Sequence, residues 1–280
     1  MNMKPIKKLL LFILAVFFFW FLYYQNNGLT ITEYEIQSSK LPESFEGFTI
    51  VQLSDLHNKS YGKTLPRKVN QTNPNIIVFT GDLVDQKNDN EFESLQLMEE
   101  LMQIAPVYFV TGNHEWWAGN FSSLENQLKI IGVKVLRNSF EVIELAEEEI
   151  VLIGIDDPAV ASVVDEFSTV ERALEDALVG VSDQFSILLS HRPEMFSLYV
   201  AFEFDLIFSG HAHGGQIRLP FLGGLIAPNQ GFFPKYTSGV HRESNSTMII
   251  NRGLGNSIIP QRLFNRPEIV VVNLERLKPF

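Results

Sequence analysis

The sequence predicts an α/β fold carried behind one membrane-spanning helix. Three observations support this: an uncharged apolar run opens the chain, short apolar runs bounded by turn residues recur after it, and amphipathic helical patterns separate several of those runs.

The opening run comes first. Lys4, Lys7 and Lys8 precede the uncharged stretch 9–24, LLLFILAVFFFWFLYY. At a helical rise of ~1.5 Å per residue it reaches roughly 24 Å, slightly short of a ~30 Å hydrocarbon core. Trp20, Tyr23 and Tyr24 fall where an outer interface belt would lie. A charged start followed by an apolar run also suits a cleaved signal peptide, but Phe21 to Asn27 offers no small-x-small cleavage site. The preferred reading is an uncleaved signal anchor. Residues 1–8 then form a cytoplasmic segment, 9–24 the membrane span, 25–47 a linker and first strand, and 48–280 one folded domain. By the positive-inside rule that domain lies outside the cytoplasm on a single-pass chain.

Beyond the polar linker Gln25–Leu29, runs with strand character are expected at 48–53, 76–79, 107–110, 150–155, 187–189, 206–208, 248–250 and 269–272. Continuous apolar runs of this length suit strands buried on both faces. Helices are expected around 91–103, 121–131 and 168–178. The Gly- and Pro-rich stretch 214–239 reads as a long ordered loop over the strand ends, and the Glu-rich run 144–149 as an exposed turn.

Composition narrows the function. The chain has 280 residues, 22 basic against 33 acidic, and a formal charge of −11. Nothing resembles a basic stripe, which argues against broad nucleic-acid binding. The absence of cysteine removes disulfides, thiolate zinc sites, Fe–S clusters and thiol catalysis together.

Several of the buried runs end in a polar cluster: Asp55 and His57, Asp82, Asn113 and His114, His191, and His211 with His213. In α/β sheets ligands bind at the carboxyl ends of strands, where loops from distant segments converge. Imidazole, carboxylate and amide oxygen donors suit borderline divalent ions such as Mn, Fe or Zn. Setting His114 aside, the remaining seven donors exceed what one tetrahedral ion takes. With one carboxylate shared they supply four protein ligands to each of two ions. Such a pair can hold a bridging hydroxide and clamp the oxygens of an in-line phosphoryl displacement.

Asp55-Leu56-His57, Gly81-Asp82, Gly112-Asn113-His114-Glu115, Ser190-His191 and Gly210-His211-Ala212-His213 resemble, in order, the signature blocks of the calcineurin-like metallophosphoesterase superfamily. Gln52 to His57, Gly210 to Gln216, Tyr236 to Gly239, Arg252 to Gly255 and Arg266 to Glu268 resemble its membrane-associated bacterial YaeI/YkuE-like phosphodiesterase branch. The resemblance implies a four-layer αββα sandwich, with Asp55, His57 and His213 on one metal, Asp82 bridging, and Asn113, His191 and His211 on the other. His114 is implied to protonate the leaving alkoxide. Glu115 stands where aspartate is commoner and receives no role.

Other residues have plainer readings. His241 is expected at the surface, and Asp156-Asp157-Pro158 outside the ligand set. Arg192 and Arg218 are open between phosphate contact and solvent, Trp116 and Trp117 between cleft and core or membrane. The expected function is hydrolysis of a phosphoester by two divalent ions on the outside of a bacterial cell membrane. A lipid or glycolipid substrate suits the tether, and a simple phosphomonoester is left open. The alternative is a non-catalytic, metal-containing envelope-binding protein, against which the retained His114 speaks. An intracellular nuclease or protein phosphatase conflicts with the anchor and the acidic surface.

Overall fold

The computed structural model describes residues 5–87, 90–161, 165–257 and 259–277. Two mixed six-stranded sheets face each other. The first holds β1 (Thr30–Ser38), β2 (Thr49–Leu53), β3 (Ile76–Thr80), β4 (Val107–Val110), β5 (Lys134–Val135) and β16 (Glu268–Arg276), in the spatial order β1-β16-β2-β3-β4-β5. The second holds β6 (Ser139–Leu145), β7 (Glu148–Gly154), β8 (Ser186–Leu189), β9 (Leu206–Ser209), β14 (Gly239–Glu243) and β15 (Ser246–Ile250), in the order β14-β15-β9-β8-β7-β6. Two small hairpins intervene: β10 (Arg218–Leu219) with β11 (Gly223–Gly224), and β12 (Ile226–Ala227) with β13 (Gly231–Phe232). Ahead of the sheets runs α1 (Pro5–Asn27). α2 (Thr64–Asn70), α3 (Phe92–Met102) and α5 (Phe121–Ile131) cover the first sheet, whereas α6 (Glu166–Ala177) and α7 (Phe196–Ala201) cover the second. The short α4 (Asn113–Trp117) starts just beyond β4.

The period of two explains why the strands read as unbroken apolar runs. Along β3, Ile76 and Val78 enter the space between the sheets while Ile77 and Phe79 meet the helices. Tyr108 and Val110 oppose Val107 and Phe109 in β4 in the same way. In the second sheet Leu206 and Phe208 face inward and Ile207 outward. Both faces of each strand are therefore apolar. Polar side chains interrupt this layer near the strand ends: the Gln52 amide donates to Thr80 Oγ1 at 3.0 Å and to the Ser209 carbonyl at 2.8 Å, tying the sheets together.

The predicted helices match α3, α5 and α6 to within a few residues. Three expectations need correction. The run 9–24 is the middle of a longer helix: α1 includes Lys7 and Lys8 as well as Gln25 to Asn27, leaving only Gly28 and Leu29 before β1. Its 23 residues reach about 34 Å, enough for the hydrocarbon core. Lys4 lies outside the described residues. The exposed turn expected over 144–149 shrinks to Ala146 and Glu147, both at positive φ, between β6 and β7. The long loop 214–239 contains the two small hairpins.

α1 is long and apolar enough to cross a membrane, with a mean hydropathy of 2.1 over its best window and none of that window buried in the protein. Its last turn is joined to the sandwich. Asn26 Nδ2 donates to the Pro260 carbonyl at 2.9 Å, and Asn26 Oδ1 accepts from Arg262 N at 2.7 Å. Its carbonyl accepts from Lys59 Nζ at 2.5 Å.

Gly154 ends β7 against Val110 of β4 and Leu136 just past β5. A Cβ there would lie 2.3 Å from Leu136 Cβ and 2.7 Å from Val110 Cγ1. Gly154→Ala should therefore cost about 1–3 kcal/mol by overpacking, read as a lowered Tm; an unchanged Tm would show that this seam yields easily.

Candidate metal centre

Every sequence-predicted site residue lies just beyond the carboxyl end of a strand, and those segments meet. Asp55 and His57 follow β2, Asp82 follows β3, and Asn113 and His114 open α4 after β4. From the opposing sheet, His191 follows β8, and His211 and His213 follow β9. All seven expected donors are buried or nearly so, and His114 stands at the opening.

Two groups of donors share one carboxylate. Asp55, His57, Asp82 and His213 each offer an atom within 4.8 Å of the others, and so do Asp82, His191 and His211. Asp82 Oδ2 lies 3.6 Å from His57 Nε2 and 3.3 Å from His191 Nε2. His57 Nε2 is 3.0 Å from His213 Nε2, and His191 Nε2 is 3.2 Å from His211 Nδ1. Asp55 Oδ1 completes the first group, 3.2 Å from His213 Nε2.

The donors fit divalent cations on three counts. The set is oxygen and nitrogen without thiolate. Asn113 Oδ1, on the same cleft, is buried without a hydrogen-bond partner. Finally, His191 Nδ1 is 2.6 Å from the Thr80 carbonyl; donating there turns Nε2 toward Asp82, the arrangement by which backbone carbonyls orient metal-binding imidazoles.

Backbone geometry is spent on this convergence. Asp55, His57, Asp82, His211 and His213 all have left-handed φ, between 46° and 64°. Such a conformation costs roughly 1–2 kcal/mol for a residue with a Cβ, and clusters where function over-determines it. Asp55 N–H donates to the Gly81 carbonyl at 2.9 Å, His57 N–H to the Asp82 carbonyl at 3.1 Å, and His211 N–H to Asp55 Oδ1 at 3.1 Å. Gly112 is required by close approach, since a Cβ would stand 2.3 Å from Asp82 Oδ1.

Glu115, left without a role by sequence, braces this corner. Fully buried, its carboxylate accepts from Gly112 N at 2.6 Å, Asp82 N at 2.9 Å, Leu83 N at 2.8 Å and Val84 N at 3.2 Å. Burial, then the Asp82 charge, pushes its carboxyl up to about 8 against those donors.

Electrostatics separates the imidazoles. Burial holds His57 down at about 4 and keeps His211 and His213 well below the usual histidine range, so all three retain free lone pairs. Burial opposes charge on His191 too, but the Asp82 carboxylate prevails and raises it to about 10. Asp82 in turn is held well below the usual carboxylate range, the His191 charge overcoming its burial.

The open readings also resolve. Arg192 faces neither phosphate nor solvent: it is buried and paired bidentately with Asp157 at 2.5 and 2.9 Å, with Nη1 3.4 Å from His211 Nε2. Asp156 binds Arg137. Arg218 donates to the Gly214 carbonyl at 2.9 Å. Trp116 packs on the core and donates to Thr111 Oγ1, whereas Trp117 lines the cleft. His241 is half-buried and bonded to the Ser238 carbonyl. Sequence reasoning missed Arg262, buried with Nη2 3.4 Å from His213 Nδ1, and nothing local signals it. It also missed Asp85, 3.9 Å from His57 Nδ1 and 3.8 Å from His114 Nδ1, whose position three residues after Asp82 could have suggested it. The cleft holds about 270 Å³ and is walled by His114, Trp117, Pro228, Asn229, Asn256 and Ser257 among others.

Comparison with known proteins agrees with this geometry. The family model described as calcineurin-like phosphoesterase matches residues 48–215. The uncharacterized metallophosphoesterase YkuE of Bacillus subtilis is 33% identical over 262 residues, covering 90% of this chain and 88% of that protein. A transmembrane protein with metallophosphoesterase domain from Danio rerio is 30% identical over 281 residues. That match covers 96% of this chain but only 62% of the fish protein. Among solved structures, TT1561 of Thermus thermophilus shares the fold, with a TM-score of 0.51 at 13% identity over 74% of this chain and 90% of that one.

Removing the Glu115 carboxylate leaves four buried N–H groups unpaired, each worth ~1–3 kcal/mol. Glu115→Ala should therefore cost about 3 kcal/mol or more in unfolding free energy, with Glu115→Gln recovering part of it. An alanine variant as stable as the parent would deny the bracing role.

Proposed function

This chain belongs to the calcineurin-like phosphoesterase family and is a phosphoester hydrolase; we propose that it works as a dinuclear phosphodiesterase or pyrophosphatase tethered to a membrane by α1. The observation that carries this reading is Asp82 Oδ2, which stands between two separate donor groups. Asp55, His57 and His213 would hold one ion, Asn113, His191 and His211 the other, and Asp82 both. Two such ions, of Mn, Fe or Zn, would supply an activated water and neutralise charge developing on the phosphoryl oxygens.

The protein's own groups supply the remainder. Gln86 N–H donates to His114 Nδ1 at 3.2 Å, which places the proton of a neutral ring on Nε2. His114 lines the cleft, its ring centroid 4.4 Å from that of His57, so this proton is available to a leaving alkoxide beside the cluster. Glu115 keeps the Asp82 and Gly112 backbones in register for it. With α1 as a single-pass anchor and its lysines on the cytoplasmic side, the cleft lies outside the cytoplasm. There a lipid- or glycolipid-linked phosphoester of the cell envelope is the substrate class within reach, and nucleic acid is disfavoured by the acidic surface.

Full-length protein in detergent should turn over a bis-aryl phosphodiester with Mn, stop on chelation and recover when Mn is restored. Absence of turnover at full metal occupancy would instead favour the metal-containing binding protein. His114→Ala should lower turnover by about 10²–10⁴ while metals stay bound, whereas Asp82→Asn should reduce metal content and turnover together. An emptied site in His114→Ala would refute the division of roles.

A further inference from the structure

We propose that five apolar side chains near the cleft, Phe221, Leu222, Phe232, Phe233 and Phe264, enter the interface of the bilayer that α1 crosses and seat the cleft mouth on it. The inference rests on reading α1 as the anchor. Single exposed apolar residues are ordinary on a protein surface, but a cluster marks a contact. Phe221 is fully exposed, and the other four are each more than half exposed.

Continuity with α1 identifies the partner as lipid. The Phe264 ring packs against that of Phe21, 5.9 Å between centroids. Phe21 lies six residues before the end of α1, about 9 Å along the axis. With a helix only slightly longer than the hydrocarbon core, that depth puts Phe21 inside the apolar layer and Phe264 at its edge. Phe221 and Phe264 line one shared depression, which brings the β10–β11 tip beside Phe264. Beside Phe264, Arg266 lies 4.7 Å over the Tyr24 ring and donates to its hydroxyl at 2.9 Å, a pairing suited to the headgroup zone.

The hairpins also connect to the cleft. Both hairpins are rooted two residues past His213: Leu225 N–H donates to the Gly215 and Ile217 carbonyls, and Phe233 N–H donates to the Leu225 carbonyl. The turn between β12 and β13 supplies Pro228 and Asn229 to the cleft wall, and Phe232 and Phe233, three and four residues further along, are exposed. Aromatic tips at this position are the side chains that partition into a membrane interface.

The chain has no cysteine, so single-cysteine variants can be labelled without background. Full-length Phe221→Cys and Phe233→Cys, carrying a nitroxide in phosphatidylcholine–phosphatidylglycerol vesicles, report depth through accessibility to oxygen against a water-soluble nickel complex. Phe12→Cys marks α1. Val179→Cys, exposed between α6 and the amino end of β8, marks the far end of the sandwich. The oxygen-to-nickel ratio at 221 and 233 should exceed that at 179 several-fold. Ratios equal to that at 179, with 12 deep, would overturn the second contact and leave the anchor standing. A water-exposed 12 would overturn the anchor and this inference with it. Exclusion of both reagents at 221 with dipolar broadening would place a second copy there instead of lipid.

Discussion

The structure depends on one electrostatic constraint, the burial of two carboxylates and four imidazoles where two sheets abut. Charges removed from water must be paired or must bind a cation. Asp82 meets the constraint by facing both donor groups, and its charge outweighs the burial of His191. Much of the surrounding geometry follows: left-handed backbone at five donors, a glycine pressed against Asp82, and a buried glutamate collecting four backbone N–H groups. Each would be a defect elsewhere. Here each shortens the distance between loops that leave different strands.

A second layer of charge shields the first. Asp157 and Arg192 form a buried bidentate pair whose remaining nitrogen, Nη1, reaches His211 and lies 3.5 Å from Glu194 and 3.6 Å from Glu166. Arg262 stands behind His213 while capping the carbonyls of Arg252, Gly255 and Asn265. Burial lowers the Arg262 guanidinium to about 10. Because Arg262 N–H also binds Asn26 at the end of α1, the donor cluster and the apolar helix are linked through one residue. Orientation of the cleft relative to α1 is thus set by direct contact and not by a flexible tether.

The donor residues were legible because each lies within four residues of the end of a buried strand, and an unbroken apolar run ending in Asp, Asn or His survives any uncertainty in boundaries. Other features had no such signal. The β6–β7 hairpin turns at Ala146 and Glu147 with positive φ, where asparagine and glycine are usual, so its Glu-rich sequence suggested a broader turn. β1 is alternately exposed and pairs with β16 from the far end of the chain, a partnership that no local pattern encodes. Glu115 and Arg192 are charged residues in loops, a description that fits solvent until neighbouring backbone and Asp157 close over them.

By itself the sequence determined the apolar N-terminal run, the α/β class and the side chains that converge beyond the strand ends, since these depend on periodicity and residue chemistry along short stretches of chain. Tertiary structure alone decided how near Asp82 comes to both groups, which arginines are committed inside the protein, and which face of the sandwich the helix meets. Those outcomes depend on distances between segments far apart in the chain, 236 residues in the case of Asn26 and Arg262. Such distances exist only after the two sheets have packed.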